Sequence, residues 1–333
     1  MSQWYQFLST QGANIQDGNI RFPHAAQTED SIITDLSHYG LLSLEGEDAV
    51  TFLQGQVTND VKKLEGSSHY SGYCSPKGRL LALFFAFSRD NTLYLQFERE
   101  LLEAIAKRLR MYVLRSKVVI NDVSDLYVRI GVAGEQAQTI LNVHFDNVPE
   151  AEYAMTQSGE ISLIRLPGTL PRYEIISPLA QAEALWLSLS QHLTPANHED
   201  WNWREIQAGI PAVAKATQEA FVPQMVNLDL IDGINFKKGC YTGQEIVART
   251  HYLGKVKRRT HLAHIASDIA PAAGDEILDS NGTAAGQVVR SAPHPDGGQS
   301  ILAELRLESV ETGSLNWQGK TLTIQPLPYP LDK

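Results

Sequence analysis

Beyond Arg259 the chain changes character: helix-length apolar periods stop, and short β-type runs alternate with turn residues to the end. Runs at 260–265, 276–278, 287–290, 300–306 and 321–324, with an Asn281-Gly282 hairpin signal among them, predict a separate small β-barrel or sandwich. The tail Pro326-Leu327-Pro328-Tyr329-Pro330 is expected to be extended, because proline cannot donate to a helix ladder.

The text before that point mixes both periods. A strand at 39–44 leads into a short helix at 48–53, and strands at 69–75 and 79–87 meet at the turn Pro76-Lys77-Gly78. A third strand at 91–97 precedes a helix at 101–112, whose Leu101, Leu102, Ile105, Leu109 and Tyr112 share one face, and a strand follows at 117–120. Strands at 126–133, 160–166 and 172–176 then alternate with helices at 135–141, 181–190 and 201–208. The fold class is α+β, with helices over sheets. In the first forty residues the clearest signal is a turn at Asp17-Gly18-Asn19.

Composition removes several function classes. With 333 residues, 43% hydrophobic and 20% charged, the chain is ordinary globular material, long enough for two or three domains. Its longest apolar run is about eight residues, at 80–87, and no basic residue precedes Arg21, so neither a membrane span nor a signal peptide is expected and the expected location is cytoplasmic. Two distant cysteines, Cys74 and Cys240, suggest neither a disulfide framework nor a zinc site. The net charge of −10 argues against a general nucleic-acid coat, yet the stretch from Lys237 to His261 carries seven Lys/Arg against Glu245 alone, a local +6. That segment invites an anion or forms a solvated loop.

The densest chemistry lies at the head of that segment, in Asn235-Phe236-Lys237-Lys238-Gly239-Cys240-Tyr241-Thr242-Gly243-Gln244-Glu245-Ile246. Thr242 and Glu245 have capping-box spacing, with Tyr241 and Ile246 as the hydrophobic staple, so a helix is expected to begin at Gly243. Cys240 then sits two residues outside the cap. There the helix dipole, with Lys237 and Lys238, would lower a thiol pKa; the competing reading is a small buried hydrophobe. Gly239 and Gly243 are candidates for close backbone approach or positive φ. On the helix at 201–208, Trp201 and Trp203 cannot share one face, so one is expected in the core and the other beside a pocket, where its ring would stack on a heterocycle.

With Lys238-Gly239-Cys240-Tyr241-Thr242-Gly243-Gln244-Glu245 and Arg249 the chain resembles the folate-binding YgfZ family, bacterial relatives of the glycine-cleavage T protein. The resemblance extends to residues 53–61, Ser75-Pro76-Lys77-Gly78-Arg79, Ala208-Gly209-Ile210-Pro211, residues 221–228 and the proline-rich tail. It implies a three-domain aminomethyltransferase-like ring: a discontinuous folate-binding α+β domain over residues 1–46 plus 126–240, a ferredoxin-like α+β domain over 47–125, and the motif helix with a C-terminal β-barrel over 241–333. It also implies tetrahydrofolate or another reduced folate near the central opening, and a role in iron–sulfur cluster assembly or repair and, through cluster proteins, in tRNA modification.

Residue by residue, the resemblance makes Tyr39 and Trp201 the aromatic folate contacts and puts Gln207 where relatives have an acidic residue that reads the pterin amide edge. Arg249 or Lys255 would meet the glutamate tail, Lys238 would stabilise the Cys240 thiolate, and Gln244 and Glu245 would order the loop. Cys240 itself would be nucleophile, redox centre or transient ligand. The T protein relies on a carboxylate after its Gly-Gly turn, and residues 78–83 have none, which argues against aminomethyl transfer. A folate-dependent one-carbon transferase and direct tRNA binding through residues 237–259 are the alternatives; a cysteine hydrolase using His251 is the weakest.

Overall fold

The computed structural model describes residues 3–16, 19–23 and 30–331. Its strands form two open sheets and a closed barrel, besides a small antiparallel ribbon of Asn14–Gln16 with Asn19–Arg21. The ribbon has the register a short turn between them requires, although Asp17 and Gly18 of the expected turn lie outside the described residues.

The first sheet is fully antiparallel, in the order Ser68–Cys74, Leu80–Arg89, Thr92–Glu98, Tyr39–Glu45, Val119–Asp122. Helix Leu102–Val113 buries Leu102, Ile105, Ala106 and Leu109. The approach is close: a Cβ on Gly40 would lie 2.5 Å from Leu102 Cδ1, so the sheet carries no side chain there. Tyr39–Glu45, placed by sequence in the first module, pairs within this sheet, between the Thr92–Glu98 and Val119–Asp122 strands. Ladder hydrogen bonds override a boundary drawn at residue 46.

The second sheet runs Met155–Ser158, Ile161–Leu166, Arg172–Pro178, Tyr127–Ala133, Ile32–Asp35, Thr194–Ala196, the last pair parallel. Its two faces feed different cores, as the period of two demands: Ile33 joins Trp4, Leu8 and Trp186, whereas Ile32 joins the core that includes Trp201. The helix His198–Gln207 lies on this second face, tight enough that a Cβ on Gly131 would meet the Trp201 ring at 2.6 Å.

The C-terminal strands close into a six-stranded barrel ordered Arg258–Ile265, Gln299–Arg306, Ala284–Pro293, Glu276–Leu278, Asn316–Trp317, Lys320–Gln325. Small and branched residues fill it, among them Ala263, Ile277, Val288, Ile301 and Ala303. Its outward-facing Leu262, Val289 and Leu302 belong to the same core cluster as Trp201 and Phe84, so one continuous apolar contact joins both sheets and the barrel. Among the described residues no helix is long and apolar enough to cross a membrane.

Candidate functional site

Where the three modules meet, a cavity of about 40 Å³ is enclosed by Tyr39, Tyr70, Phe85, Phe97 and, from the barrel, Arg290. Its polar floor is a network of residues distant in sequence. The Tyr39 hydroxyl donates to Glu205 Oε2 at 2.5 Å, and Arg290 Nη2 donates to the same oxygen at 2.8 Å. Arg290 also reaches Asn202 Oδ1 and the Ile210 carbonyl, which accounts for a guanidinium buried at this depth. Burial opposes its charge, but Glu205, Tyr39 and Glu98 outweigh it and hold Arg290 above its ordinary value. Tyr39 is raised well above its ordinary value, by burial first and then by Glu205.

Two further carboxyls line the cavity. Burial pushes Glu174 up to about 7 and Glu98, half-buried, to about 7. Gln96 Nε2 donates to Glu174 Oε2 at 3.0 Å, leaving Glu174 Oε1 and Gln96 Oε1 as buried acceptors with no partner. Such atoms are costly unless something donates to them. Every wall residue comes from a strand or helix except the stretch 210–213, Ile210-Pro211-Ala212-Val213, which has neither.

Tyr39 lines this cavity, whereas the other residues expected from sequence to contact folate do not. Trp201 is fully buried: its ring packs on Gly131 and under the Arg172 guanidinium, 5.5 Å away, and takes no part in the cavity lining. Trp203 is buried too, edge-on to His294, so neither indole offers the free stacking face that was expected. Gln207 Nε2 turns toward Ser300 Oγ at 3.4 Å, and the acidic residue that this helix presents to the cavity is Glu205, two positions earlier. Residues 78–83 do lack a carboxylate, but Glu98, Glu174 and Glu205 bring three from other elements.

The cysteine motif is a second place, built by the convergence of the other quoted stretches. Lys238 is buried and its ammonium is bonded to the 54–59 stretch. Its Nζ donates to the carbonyls of Gln54, Val57 and Asn59 at 2.7, 2.6 and 2.8 Å, using all three ammonium hydrogens, and lies 5.1 Å from the Tyr241 ring centroid. Burial lowers it to about 8. Asn235 N–H adds a bond to the Thr58 carbonyl, and Thr58 Oγ1 donates to the Gly233 carbonyl. The 54–59 stretch thus receives the motif loop.

The motif helix is Gln244–Tyr252, one residue later than expected, with Gly243 at its cap in left-handed geometry (φ +82°). No side-chain capping bond forms, so the Thr242–Glu245 capping box is absent. The reason is packing: a Cβ at Gly243 would lie 2.5 Å from the Ser75 carbonyl oxygen and 2.8 Å from Gly78 Cα, and only a glycine turn seats against that second turn. Gly239 has no such role, with open space where its Cβ would be. Gln224 Nε2 ties the helix to the 221–228 stretch through the Val247 carbonyl, at 2.7 Å. Of the two residues expected as the staple, Tyr241 is buried and Ile246 38% exposed. Cys240 is an exposed free thiol on this anchored loop, outside the cavity lining, and Arg249 is exposed in the helix's last turn, also away from the cavity. Gln244 is half-buried and Glu245 exposed in the first turn. Cys74 is the buried one, its thiol pushed up to about 12 by burial.

The basic segment divides. Lys238 is committed to carbonyls, Arg258 makes a two-pronged pair with Glu304, and Arg259 a two-pronged pair with Asp229. Lys237, Arg249, Lys255 and Lys257 are exposed, against exposed Glu245.

Two sheets, a closed barrel and a cavity at their junction define the aminomethyltransferase-like class. The glycine cleavage system aminomethyltransferase T from Bartonella henselae matches over 98% of this chain and 96% of its own with a TM-score of 0.80, and at 18% identity that likeness speaks for the fold. The GCVT N-terminal domain family model matches residues 1–231. The "tRNA-modifying protein YgfZ" of Yersinia pestis (strain Pestoides F) is 36% identical over 307 residues, 90% of this chain and 92% of that protein. The protein of the same name from Yersinia enterocolitica is 33% identical over 306 residues, with the same coverage. The chain belongs to the YgfZ family of GCVT-domain proteins.

Proposed function

We propose that the central cavity takes the pterin of a reduced folate, tetrahydrofolate or a relative, and that the protein is an accessory factor for iron–sulfur cluster proteins on which tRNA modification depends. The observation that carries the folate reading is the pair of unpartnered acceptors, Glu174 Oε1 and Gln96 Oε1, between aromatic walls. A pterin supplies what they lack: amino and amide N–H donors on a flat ring that stacks on tyrosine or phenylalanine. The cavity of about 40 Å³ has room for a water or two, so a bicyclic ring enters only if a wall yields. Ile210 is held by Arg290 and by its N–H bond to the Glu205 carbonyl, so such a shift would fall on 211–213, which lies outside any helix or strand.

A reduced folate supplies one-carbon or reducing equivalents when bound. Tyr39, Glu205 and Arg290 fix the cavity floor, and Cys240 presents an exposed thiol to a partner as nucleophile, redox centre or transient ligand. The names of the Yersinia relatives support the link to tRNA modification; the cluster link rests on the family resemblance. One-carbon transfer is a second reading, favoured by Glu98 and Glu174, which at about 7 can hold or release a proton near neutrality.

Calorimetric titration with tetrahydrofolate under reducing conditions tests the binding step. Saturable binding that Glu174→Ala weakens at least tenfold is expected, and equal binding by both proteins would reject the cavity. Cys240→Ala is expected to fold and bind folate normally yet fail to restore cluster-dependent tRNA modification in cells lacking the protein. Full restoration would remove the thiol from the function, and turnover of an aminomethyl donor by the purified protein would establish the second reading.

A further inference from the structure

A groove of about 590 Å³ lies beside the cysteine loop, away from the central cavity, lined on one side by Phe236, His251 and Tyr252 and on the other by the start of the Ser68–Cys74 strand. The aromatic side is a built platform. His251 stacks flat on Phe236, centroids 3.7 Å apart at 13°, and Tyr252 stands edge-on to both rings, at 4.7 Å from His251 and 6.1 Å from Phe236. The rings are not sealed into a core: Tyr252 is 64% exposed and the adjoining Leu253 is 85% exposed. Exposed aromatic surface of this kind is what a base stacks on.

Lys63 and Lys237 line the groove, and Lys255 and Lys257 follow Tyr252 within five residues, all four exposed. The groove's acids are Glu152, which accepts from the Gly168 N–H, and Asp232; they balance Lys63 and Lys237, so the positive excess comes from Lys255 and Lys257 just past the motif helix. Asn235 and Ser67 add amide and hydroxyl edges. His69 is buried and held down at about 4 by burial, so it adds no charge. In a chain of net charge −10, the local +6 of residues 237–261 makes this the flank on which a polyanion is favoured.

We propose that this groove binds a single-stranded segment of RNA, one base stacking on Tyr252 with its edge toward His251 while neighbouring phosphates meet Lys63, Lys237, Lys255 and Lys257. The inference stands apart from the folate reading, since none of these residues lines the central cavity.

The test is anisotropy of a labelled single-stranded 12-nucleotide RNA titrated with the full chain at several salt concentrations. A log–log salt slope of roughly −2 to −3 is expected for three or four neutralised phosphates at about −0.7 each. Tyr252→Ala is expected to weaken binding roughly 5- to 150-fold, the range of one lost base stack, and Lys237→Glu to weaken it and flatten the salt slope. Lys320→Glu, on the barrel, should change neither. Absence of binding at low salt, equal binding by Tyr252→Ala, or displacement by a poly-glutamate peptide at the same concentration as by unlabelled RNA would each overturn the proposal. Unchanged thermal unfolding and tetrahydrofolate titration of Tyr252→Ala keep its outcome distinct from that of the folate reading.

Discussion

Tyr39 and Glu205, 166 positions apart, share a 2.5 Å hydrogen bond, and Arg290 closes on the same carboxylate oxygen from a barrel strand. The bond joins the first sheet, the helix over the second sheet and the barrel at one point, so the cavity floor is also the fastening between modules. Glu205→Gln leaves the Arg290 guanidinium buried without its counter-charge and is expected to destabilise the protein by about 3–5 kcal/mol in denaturant unfolding. Tyr39→Phe removes one donor while Arg290 still serves Glu205, for a cost of about 1 kcal/mol. Equal costs for the two would show that the ion pair is not the main element.

Lys238 fastens the cysteine loop through three carbonyls. Lys238→Met keeps the aliphatic stem but strands those acceptors, so unfolding should become easier by a few kcal/mol, at about 1–3 kcal/mol for an unsatisfied buried group. Hydrogen exchange should speed up in residues 54–59 and 235–243 before it does in the barrel. Uniform loosening of the whole chain would contradict a local tether.

The two motif glycines should behave differently. Gly243→Ala forces an L-residue into φ +82° and drives its Cβ into the Ser75 carbonyl, for an expected loss of at least about 1–2 kcal/mol and a displaced motif helix. Gly239→Ala meets open space and should cost less than about 1 kcal/mol. Thermal unfolding of both variants, with the reaction rate of Cys240 toward a thiol reagent as the local readout, separates them.

Glu174 gives the chain a pH-dependent term. Its pKa is raised by burial from 4.5 to about 7, so between those values the folded chain binds more protons than the unfolded one. The stabilisation is fully present below about 4.5 and is lost as pH rises through about 7, by an amount on the order of a few kcal/mol. Glu174→Gln, which cannot ionise, should flatten the fall in stability across that interval, with the largest gain over the parent at pH 8. A parallel pH curve for the variant would place the term on another group.

Trp201→Ala is expected to act on the core. With the ring seated on Gly131 and wholly buried, the loss should be about 3–5 kcal/mol by unfolding, so a fall in folate binding by that variant would report damage to the fold.

Local pattern was enough to read the elements. Alternation and 3.6-residue periods carry secondary structure, so the helix Leu102–Val113, the strands Leu80–Arg89 and Thr92–Glu98 and the all-strand C-terminal region were legible. Identity at the quoted motifs likewise pointed to the family and the aminomethyltransferase-like fold. The site was legible only in part, because burial and partnership are decided across the chain. Trp201 and Tyr39 are both aromatic in sequence, but only packing puts one in the core and the other in the cavity. The cation of Lys238 could have faced Cys240, and the loop at 54–59 captured it. The Thr242–Glu245 spacing satisfied a local capping rule, and contact of Gly243 with the Ser75–Gly78 turn overrode it. Glu98, Glu174, Glu205 and Arg290 carry no short-range mark of a site, since what makes them one is a shared low-dielectric space that exists only after two sheets and a barrel have closed around it. Sequence determined which elements form and which family they build; tertiary structure decided which charges meet, because a charge's partner and its hydration are set by neighbours up to 166 residues away.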